Sequence, residues 1–466
     1  MKEVTNKPCH PFFLEEEPAS EIIFSKEDYK LRLDVLTTRM REKRVNHVLI
    51  YGDRENFAHI EYFSGYDCRF EEGLLIIEDN GKVSIAVGNE GISQTYPIPY
   101  DLNVYLYQNF SLQGQPRDRQ KKLSDIFKKC GITKESAVGV VGYKYFNPED
   151  VSTEPDYTFD IPAYILNEIY EVADKKAVKN FTREITGFPD GIRMTIRTAK
   201  EIAWIESAGN RTAAVVQRML KSLKPGMSER ETAISGHPGF EPVTMYPLVN
   251  FGAEKVRIGV ASPTDRTLET GDVCGLCYAT RGNLTSRVGI AAYNFESVKE
   301  ELKPHMEFYK YYWKVLTEWL EYAHVGAKCD ELYEIVMGKL GTPEYGMVLN
   351  PTHYSGTDEW NNSPVFKNSP YTLLDGSHIQ VDMIASKSEP VMAAICEDCI
   401  VVAGAVLQAK LKAEYPEVYE RTMKRRKMIH EELGIDIHSD ILPMSNLNFV
   451  YFPYMLNAKE IFALSE

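Results

Sequence analysis

The chain has 466 residues, of which 44% are hydrophobic and 26% are charged, and its formal net charge is −14. This composition is typical of a globular protein, and the length favours more than one domain. An acidic surface repels nucleic-acid phosphates, and no apolar run approaches the roughly 20 residues that span a bilayer. We therefore expect neither a nucleic-acid partner nor a membrane segment.

The first residues and the cysteines predict the compartment. The N-terminus, MKEVTNKPCHPFFLEEEP, lacks the apolar stretch of a secretory signal, so we expect a cytoplasmic protein. Eight cysteines in 466 residues are too few for a disulfide scaffold. We expect reduced thiols.

The first part of the chain predicts an α/β domain over residues 21–185, preceded by an extended arm over residues 1–20. A helix should follow the arm, with Ser25 as its cap and Asp28 in the place of a capping-box glutamate. The hairpin signal Asn80-Gly81 separates two apolar β-runs. Further β-runs, HVLIY and AVGVVGY, alternate with helical stretches, which predicts a partly parallel sheet.

Residues 186–466 predict a second, α+β domain. Ala199 to Leu223 has the apolar period of a long amphipathic helix. Shorter β-runs lie between and after further helical stretches, which fits helices flanking a mostly antiparallel sheet; the expected helices cover about 296–323, 329–340 and 414–433. The aromatic C-terminal segment NLNFVYFPYML is expected to pack back on that sheet.

Several segments, in this order, resemble one known family. They are FSKEDYKLRLDVL, ENFAHIEYFSGYDCRFEEGLLII, RTAKEIAWIESAGNRTAAVVQRMLKSLKPGMSERE, SPTDRTLETGDVCGLCY, THYSG, LLDGSHIQVDM and ICEDCIVV. Together they resemble the creatinase, aminopeptidase P and prolidase family over about residues 24–403. The resemblance implies a creatinase-like α/β N-terminal domain, an α+β pita-bread domain, a small-molecule substrate and a homodimer.

The resemblance also implies where a dinuclear metal site would lie. The family binds two divalent cations with two aspartates, one histidine and two glutamates, and a water between the cations is the nucleophile. In this sequence the aspartate positions fall on Cys277 and on or near Leu284, the histidine on His353, and the glutamates on Asp382 and Glu397. Two of the four carboxylates are absent, so we expect too little negative charge for two adjacent cations.

A single divalent metal is the remaining cofactor possibility. His353, Asp382 and Glu397 form a plausible ligand set for one ion, and a contribution from Cys277 would favour zinc. Alternatively, the three residues are a relic cluster that binds no cofactor.

The proton-handling histidines of the family's peptidases are missing as well. One position falls near Val260 or Ala261 and the other on Trp360. Their loss removes groups that orient a peptide and move protons. Ordinary aminopeptidase P activity is not expected.

Creatinase shows that this fold supports metal-free cleavage of a C–N bond, but the chain departs from creatinase too. The position of creatinase's base holds no histidine, and Ser286 stands where creatinase has a glutamate beside its arginine, here Arg287. Arg69 and Phe70 lie in the stretch of the first domain that reaches the partner's site, in a different register. Creatine is not the expected substrate.

The cysteines form two CxxC pairs, Cys274 with Cys277 and Cys396 with Cys399. This pattern often binds structural zinc. Here both pairs lie in apolar β-runs, where residues i and i+3 point to opposite faces, which disfavours a zinc site. Cys277 could be a nucleophile activated by His353, or a small buried hydrophobic residue.

Three functional hypotheses follow. The first is a hydrolase-like enzyme that cleaves an amide, guanidino or iminopeptide C–N bond of a small substrate without a dinuclear metal centre. In it His353 is the acid/base, Asp382 or Glu397 orients the imidazole, and Arg287 holds a substrate carboxylate. The second is a non-catalytic small-molecule or peptide-binding protein, and the third a mononuclear metallohydrolase or aminopeptidase.

The segment after His353 adds candidate substrate-binding residues. Glu359 and Trp360, with Asp358 beside them, could hold a cationic or planar group of a substrate. Alternatively, DEWNNSP is a polar surface loop. The sequence does not identify the substrate.

Overall fold

The computed structural model describes residues 2–119, 121–252, 255–256 and 259–465. The chain forms two compact units: one comprises Ile23–Met194, and the other joins the residues up to Ile22 with those from Thr195 onward. The first strand, β1 (Glu3–Pro8), belongs to the second of these units.

The unit Ile23–Met194 alternates strands with helices. Its strands are β2 (His47–Gly52), β3 (Gly73–Glu78), β4 (Val83–Val87), β5 (Asn103–Leu106), β6 (Val138–Val141) and β7 (Val178–Asn180). Its helices are α1 (Lys26–Glu42), α2 (Ala58–Ser64), α3 (Gly91–Gln94), α4 (Leu123–Lys129), α5 (Ala163–Val172) and α6 (Thr182–Thr186).

These strands form one mixed sheet in the order β5-β4-β3-β2-β6-β7. The pairs β2–β6, β6–β7 and β4–β5 are parallel, which confirms the predicted partly parallel α/β fold. The hairpin β3–β4 turns at Gly81, whose φ of 90° is a conformation that glycine adopts without strain. Along β2 the side chains alternate between two apolar layers, with Val48 and Ile50 in one and Leu49 and Tyr51 in the other.

The other unit contains a long helix and a larger sheet. Its helices are α7 (Ala199–Ser222), α8 (Glu229–Ser235), α9 (Glu307–Tyr322), α10 (Cys329–Leu340), α11 (Ala405–Glu414) and α12 (Pro416–Met428), followed by a π-helical turn (Ile429–Leu433). Its further strands are β8 (Leu248–Phe251), β9 (Val273–Thr280), β10 (Asn283–Ile290), β11 (His353–Tyr354), β12 (Ser377–Val381), β13 (Ala385–Ser388), β14 (Val391–Val402), β15 (Ile441–Pro443) and β16 (Glu460–Ser465).

The larger sheet is antiparallel, in the order β11-β12-β14-β10-β9-β8, and β13 and β15 also pair with β14. The mostly antiparallel α+β fold is therefore confirmed. Strand β1 pairs with β16, which gives the N-terminal arm a place in this unit. The C-terminal segment packs on the sheet as predicted: the Tyr451 hydroxyl donates to the Val288 carbonyl at 2.7 Å, and the Asn448 amide donates to the Cys399 carbonyl at 2.9 Å.

Two helix boundaries differ from the prediction. The helix expected over about 296–323 begins only at Glu307, because the residues before it form two separate 3-10 turns. The expected helix over about 414–433 is preceded by α11, which begins after Gly404 where the apolar pattern predicts a continuing β-run. The period changes there, because the buried Leu407 and Leu411 are four residues apart, as on one helix face. No helix among the described residues has the length and hydropathy to cross a bilayer.

A buried ionic network joins α7 to α12. The Glu206 carboxylate accepts hydrogen bonds from Arg421 at 2.8 Å and lies 2.9 Å from Arg425. Arg425 is 1% exposed and also donates to Asn210 and Asn446. Residues 424–427 of α12 are a run of four basic residues, Lys-Arg-Arg-Lys. Because Arg425 is a buried ion-pair partner of Glu206, this run is not a fully solvated helix face.

Candidate functional site

A row of small and acidic side chains crosses the centre of the antiparallel sheet. Cys277 of β9 lies directly opposite Ser286 of β10, and Ser286 lies opposite Glu397 of β14. Val381 is opposite the residue after Glu397, so Asp382, the next residue, follows in the same register beside Glu397. All four side chains are buried. The sheet therefore brings Cys277, Asp382 and Glu397, which are far apart in the chain, to one place.

His353 joins this row from the neighbouring strand. It pairs with Gln380 of β12, and its ring is 1% exposed. Its Nε2 lies 3.0 Å from Glu359 Oε1 and 4.0 Å from Glu397 Oε1. The Glu359 contact is off the axis of the ring N–H, so it is an ion-pair contact rather than a directed hydrogen bond. Trp360 stacks on the imidazole with 4.2 Å between ring centroids and 20° between planes.

The carboxylates of the pocket lack a basic partner other than His353. In the part of the chain that the structure describes, no lysine or arginine forms an ion pair with Glu359, Asp382 or Glu397. Burial raises the pKa of Asp382 to about 6, although His353 opposes that shift. Burial, followed by repulsion from Asp382 and Glu359, raises the pKa of Glu397 well above its usual 4.5. The pocket therefore favours bound protons or a bound cation.

The pKa values of the two histidines near the row, His353 and His378, are shifted in opposite directions. Burial lowers the pKa of His353, but Glu359 and then Asp382 more than offset it, and the net shift is upward from 6.5. Burial lowers the pKa of His378 to about 3, so that ring stays neutral. His353 is thus the histidine of this pocket that can carry a proton near neutral pH.

The environment of Cys277 disfavours a nucleophilic thiolate. Burial, reinforced by the negative charge of Glu397, raises the pKa of the Cys277 thiol well above 9.0. Its neighbours Ala279 and Leu284 form an apolar cluster with it. The geometry therefore favours the interpretation of Cys277 as a small buried residue at one end of the row.

Arg287 does not fit its predicted role of holding a substrate carboxylate. It follows Ser286 in β10, and successive side chains of a strand point to opposite faces. Its guanidinium is 1% exposed and contacts Asp398 at 2.8 Å. It also donates to the carbonyls of Val450 and Leu447, at 2.7 and 2.6 Å. Arg287 is a structural residue that ties the C-terminal segment to the sheet.

The residues present do not fit two divalent cations. On β10, the residue opposite Glu397 is Ser286, which offers a hydroxyl. On β9, the residue opposite Ser286 is Cys277, whose thiol is protonated, and Leu284 of β10 is apolar. No carboxylate on these two strands is available to bridge the ions. A single ion fits better, because the ligand atoms of His353, Glu359 and Glu397 all lie within 4.8 Å of one another. This set contains Glu359 where the sequence favours Asp382.

The four predicted substrate-binding residues lie in different units: Glu359 and Trp360 in one, Arg69 and Phe70 in the other. Glu359 and Trp360 lie against His353, and Trp360 is 36% exposed. Arg69 and Phe70 belong to the unit Ile23–Met194; Arg69 lies 3.3 Å from Asp67, and Phe70 is exposed. Their contribution to a partner's pocket stays a prediction, as does the homodimer.

Sequence reasoning left three polar residues out of the site. Ser286 was named only as the replacement of creatinase's glutamate, and neither Gln380, opposite His353, nor the buried His378 was placed there. A period-2 count from Asp382 back along β12 through Gln380 to His378 is the signal that could have found two of them.

The comparisons with known proteins agree with this architecture. A similar solved structure is a Xaa-Pro dipeptidase from Bacillus anthracis, 15% identical, covering 80% of this chain and 95% of that chain with a TM-score of 0.60. A prolidase from Pyrococcus furiosus is 18% identical and covers 79% of this chain and 96% of that chain with a TM-score of 0.58. An X-Pro aminopeptidase from Thermotoga maritima is 16% identical, and the match covers 79% of this chain and 94% of that chain with a TM-score of 0.59.

At this level of identity the structural likeness shows the fold alone. A comparison with curated protein sequences found no significant match. Residues 203–402 match metallopeptidase family M24, and this range contains the row, His353 and Glu359. Over residues 203–402 the chain is therefore similar to metallopeptidase family M24, and its fold is the pita-bread fold of the similar structures.

Proposed function

We propose that this chain is a hydrolase that cleaves a C–N bond of a small peptide-like substrate without a dinuclear metal centre. The observation that carries the proposal is the group formed by the buried His353, Asp382 and Glu397 with the partly buried Glu359, whose Oε1 is 3.0 Å from His353 Nε2. Buried titratable groups that shift one another's pKa values are common in the active sites of enzymes that use acid–base catalysis. A merely structural core would not be expected to retain them without partners.

The proposed mechanism uses two proton carriers. A water molecule adds to the substrate carbonyl carbon while its proton passes to His353 Nε2, and Glu359 stabilises the imidazolium that forms. The C–N bond then breaks, and the departing amine nitrogen takes a proton from the carboxylic acid of Glu397. Burial, reinforced by repulsion from Asp382 and Glu359, raises the pKa of Glu397 and so favours the protonated form that this step needs.

A peptide-like substrate is supported by the relatives. The similar structures are a dipeptidase, a prolidase and an aminopeptidase that act on Xaa-Pro substrates by their names. The half-exposed indole of Trp360, stacked on His353, is a flat apolar surface suited to the ring of a proline or another planar group. We propose an amide or iminopeptide bond in preference to a guanidino group.

The test is hydrolysis by metal-depleted protein. The full chain, dialysed against a chelator, would be incubated with a panel of Xaa-Pro dipeptides, aminoacyl amides and guanidino acids, with amine release measured. We expect turnover of at least one dipeptide or amide, and its loss in the same preparation of His353→Ala. Turnover that survives His353→Ala, or no turnover across the panel, would contradict the proposal.

A second candidate is a mononuclear metallohydrolase. It is favoured by the placement of His353, Glu359 and Glu397, whose ligand atoms lie within 4.8 Å of one another. An imidazole with two carboxylates is a donor set used for zinc and for other first-row metals. A cation bound there would polarise the substrate carbonyl and lower the pKa of a bound water. Turnover that disappears on chelation and returns with added metal would select this candidate.

A further inference from the structure

A cavity of 540 Å³ lies in the same unit, lined by α12, the π-helical turn, the loop after it and Gln408 of α11. One wall is a single helix face, because Arg426 and Lys427 follow Met423 by three and four residues and precede His430 by four and three. The facing wall contains Ile435 and other residues of the loop. None of the residues that line the cavity belongs to the row or to the segment around His353.

Arg426 is the unusual member of this lining. Its side chain is half-buried, and its Nη1 donates to the Ser439 carbonyl. Among the described residues, no carboxylate forms an ion pair with its guanidinium. The other charged residues that line the cavity have partners: Lys427 lies 3.8 Å from Glu431, and Asp436 lies 2.7 Å from Lys2.

A guanidinium withdrawn from water without a counter-ion costs free energy. Basic residues near a helix C-terminus also interact with the helix dipole, which explains the exposed Lys424 and Lys427. That interaction does not explain a half-buried charge. Burial lowers the pKa of Arg426, and Tyr419 and Asp440 oppose this shift only in part. A half-buried cation that makes no ion pair with a carboxylate among the described residues is therefore a position that an anion would stabilise.

We propose that this cavity binds a small organic anion whose carboxylate or phosphate group pairs with Arg426 and whose apolar part contacts Met423 and Ile437. The planar fork of a guanidinium matches both oxyanions. The volume lies within the range of small-molecule sites, about 300–1,000 Å³. Tyr419 adds an aromatic surface to the same wall.

The test uses the full chain and four probes. Phenyl phosphate, benzoate, inorganic phosphate and neutral benzyl alcohol would be titrated calorimetrically into the wild type, Arg426→Met, Arg426→Lys and Lys410→Met. Lys410 is an exposed residue of α11 that does not line the cavity, so its variant controls for a simple loss of surface charge. We expect phenyl phosphate or benzoate to bind, and the affinity to fall at least tenfold in Arg426→Met but less than twofold in Lys410→Met.

The preferred headgroup follows from which aromatic anion binds more tightly. Arg426→Lys keeps the charge but loses the fork, so an intermediate loss is expected, and this variant also serves if Arg426→Met does not fold. Binding of no probe, equal affinity in Arg426→Met or Arg426→Lys and the wild type, or an equal loss in Lys410→Met would overturn the proposal. So would inorganic phosphate or benzyl alcohol binding as tightly as the aromatic anions.

Discussion

Replacing His353 with alanine is expected to lower kcat/KM for the substrate found in the hydrolysis panel by about 10²- to 10⁴-fold, the usual contribution of a positioned acid or base. The reason is that His353 is the histidine in the pocket whose pKa is raised, while that of its neighbour His378 is held near 3. Steady-state kinetics would measure the loss. His305→Ala, which removes a partly buried histidine outside the row, is the matched control and should leave kcat/KM unchanged.

Replacing Glu359, which lies beside His353, is expected to change the pH dependence of kcat/KM. Glu359 raises the pKa of His353, so Glu359→Gln should lower that pKa. A base acts only when deprotonated, and the acidic limb of the kcat/KM profile reports the base of the free enzyme. That limb should therefore move to lower pH in Glu359→Gln. A reduced rate with an unmoved limb would assign Glu359 a structural role instead.

Replacing Glu206 with glutamine is expected to destabilise the protein by about 3–5 kcal/mol, the cost of breaking a buried ion pair. The change leaves the guanidinium of Arg425, which is 1% exposed, without its carboxylate 2.9 Å away. Denaturant unfolding at pH 7 would measure the difference. Glu420→Gln, on the exposed face of α12, is the control and should change the free energy of unfolding by less than about 0.5 kcal/mol.

The Glu206 effect should depend on pH in a defined direction. Although burial alone would raise the pKa of Glu206, hydrogen bonds from Arg421 and the charge of Arg425 bring it below its usual 4.5. A depressed pKa contributes stability that is complete above the unfolded-state value and is lost as the pH falls through the folded-state value. The difference between the wild type and Glu206→Gln should therefore be constant above about pH 5.5 and shrink below pH 4.5. A difference that grows on acidification would contradict the assignment.

The sequence predicts the fold well because its signals are local. The Asn80-Gly81 turn, the apolar period of α7 and the β-runs each act within a few residues, and ordered family segments supply the topology. The start of α11 was missed because the apolar run continues across Gly404, and only the later spacing of Leu407 and Leu411 distinguishes helix from strand.

The candidate site is less predictable because it depends on cross-strand register. The ligand segments identify His353 and Glu397. Which residue of β10 stands beside Glu397 is set by the register between β10 and β14, two strands far apart in the chain, and the structure places Ser286 there rather than Leu284. The resemblance to creatinase assigns Arg287 to the pocket as the counterpart of creatinase's arginine, whereas strand alternation turns its side chain away from Ser286 and the row. The contact of Glu359 with His353 depends on the fold of a loop, which has no periodic signal.

The central claim is that this pocket cannot hold a pair of divalent cations. The direct measurement is the number of cations bound per chain, by elemental analysis of protein equilibrated with excess Zn²⁺ or Mn²⁺ and then freed of unbound metal. No more than one ion per chain is expected, and none in the His353→Ala variant, because Cys277 and Ser286 supply no bridging carboxylate. Two ions per chain in the wild type, with loss of both in Glu397→Gln, would contradict the claim.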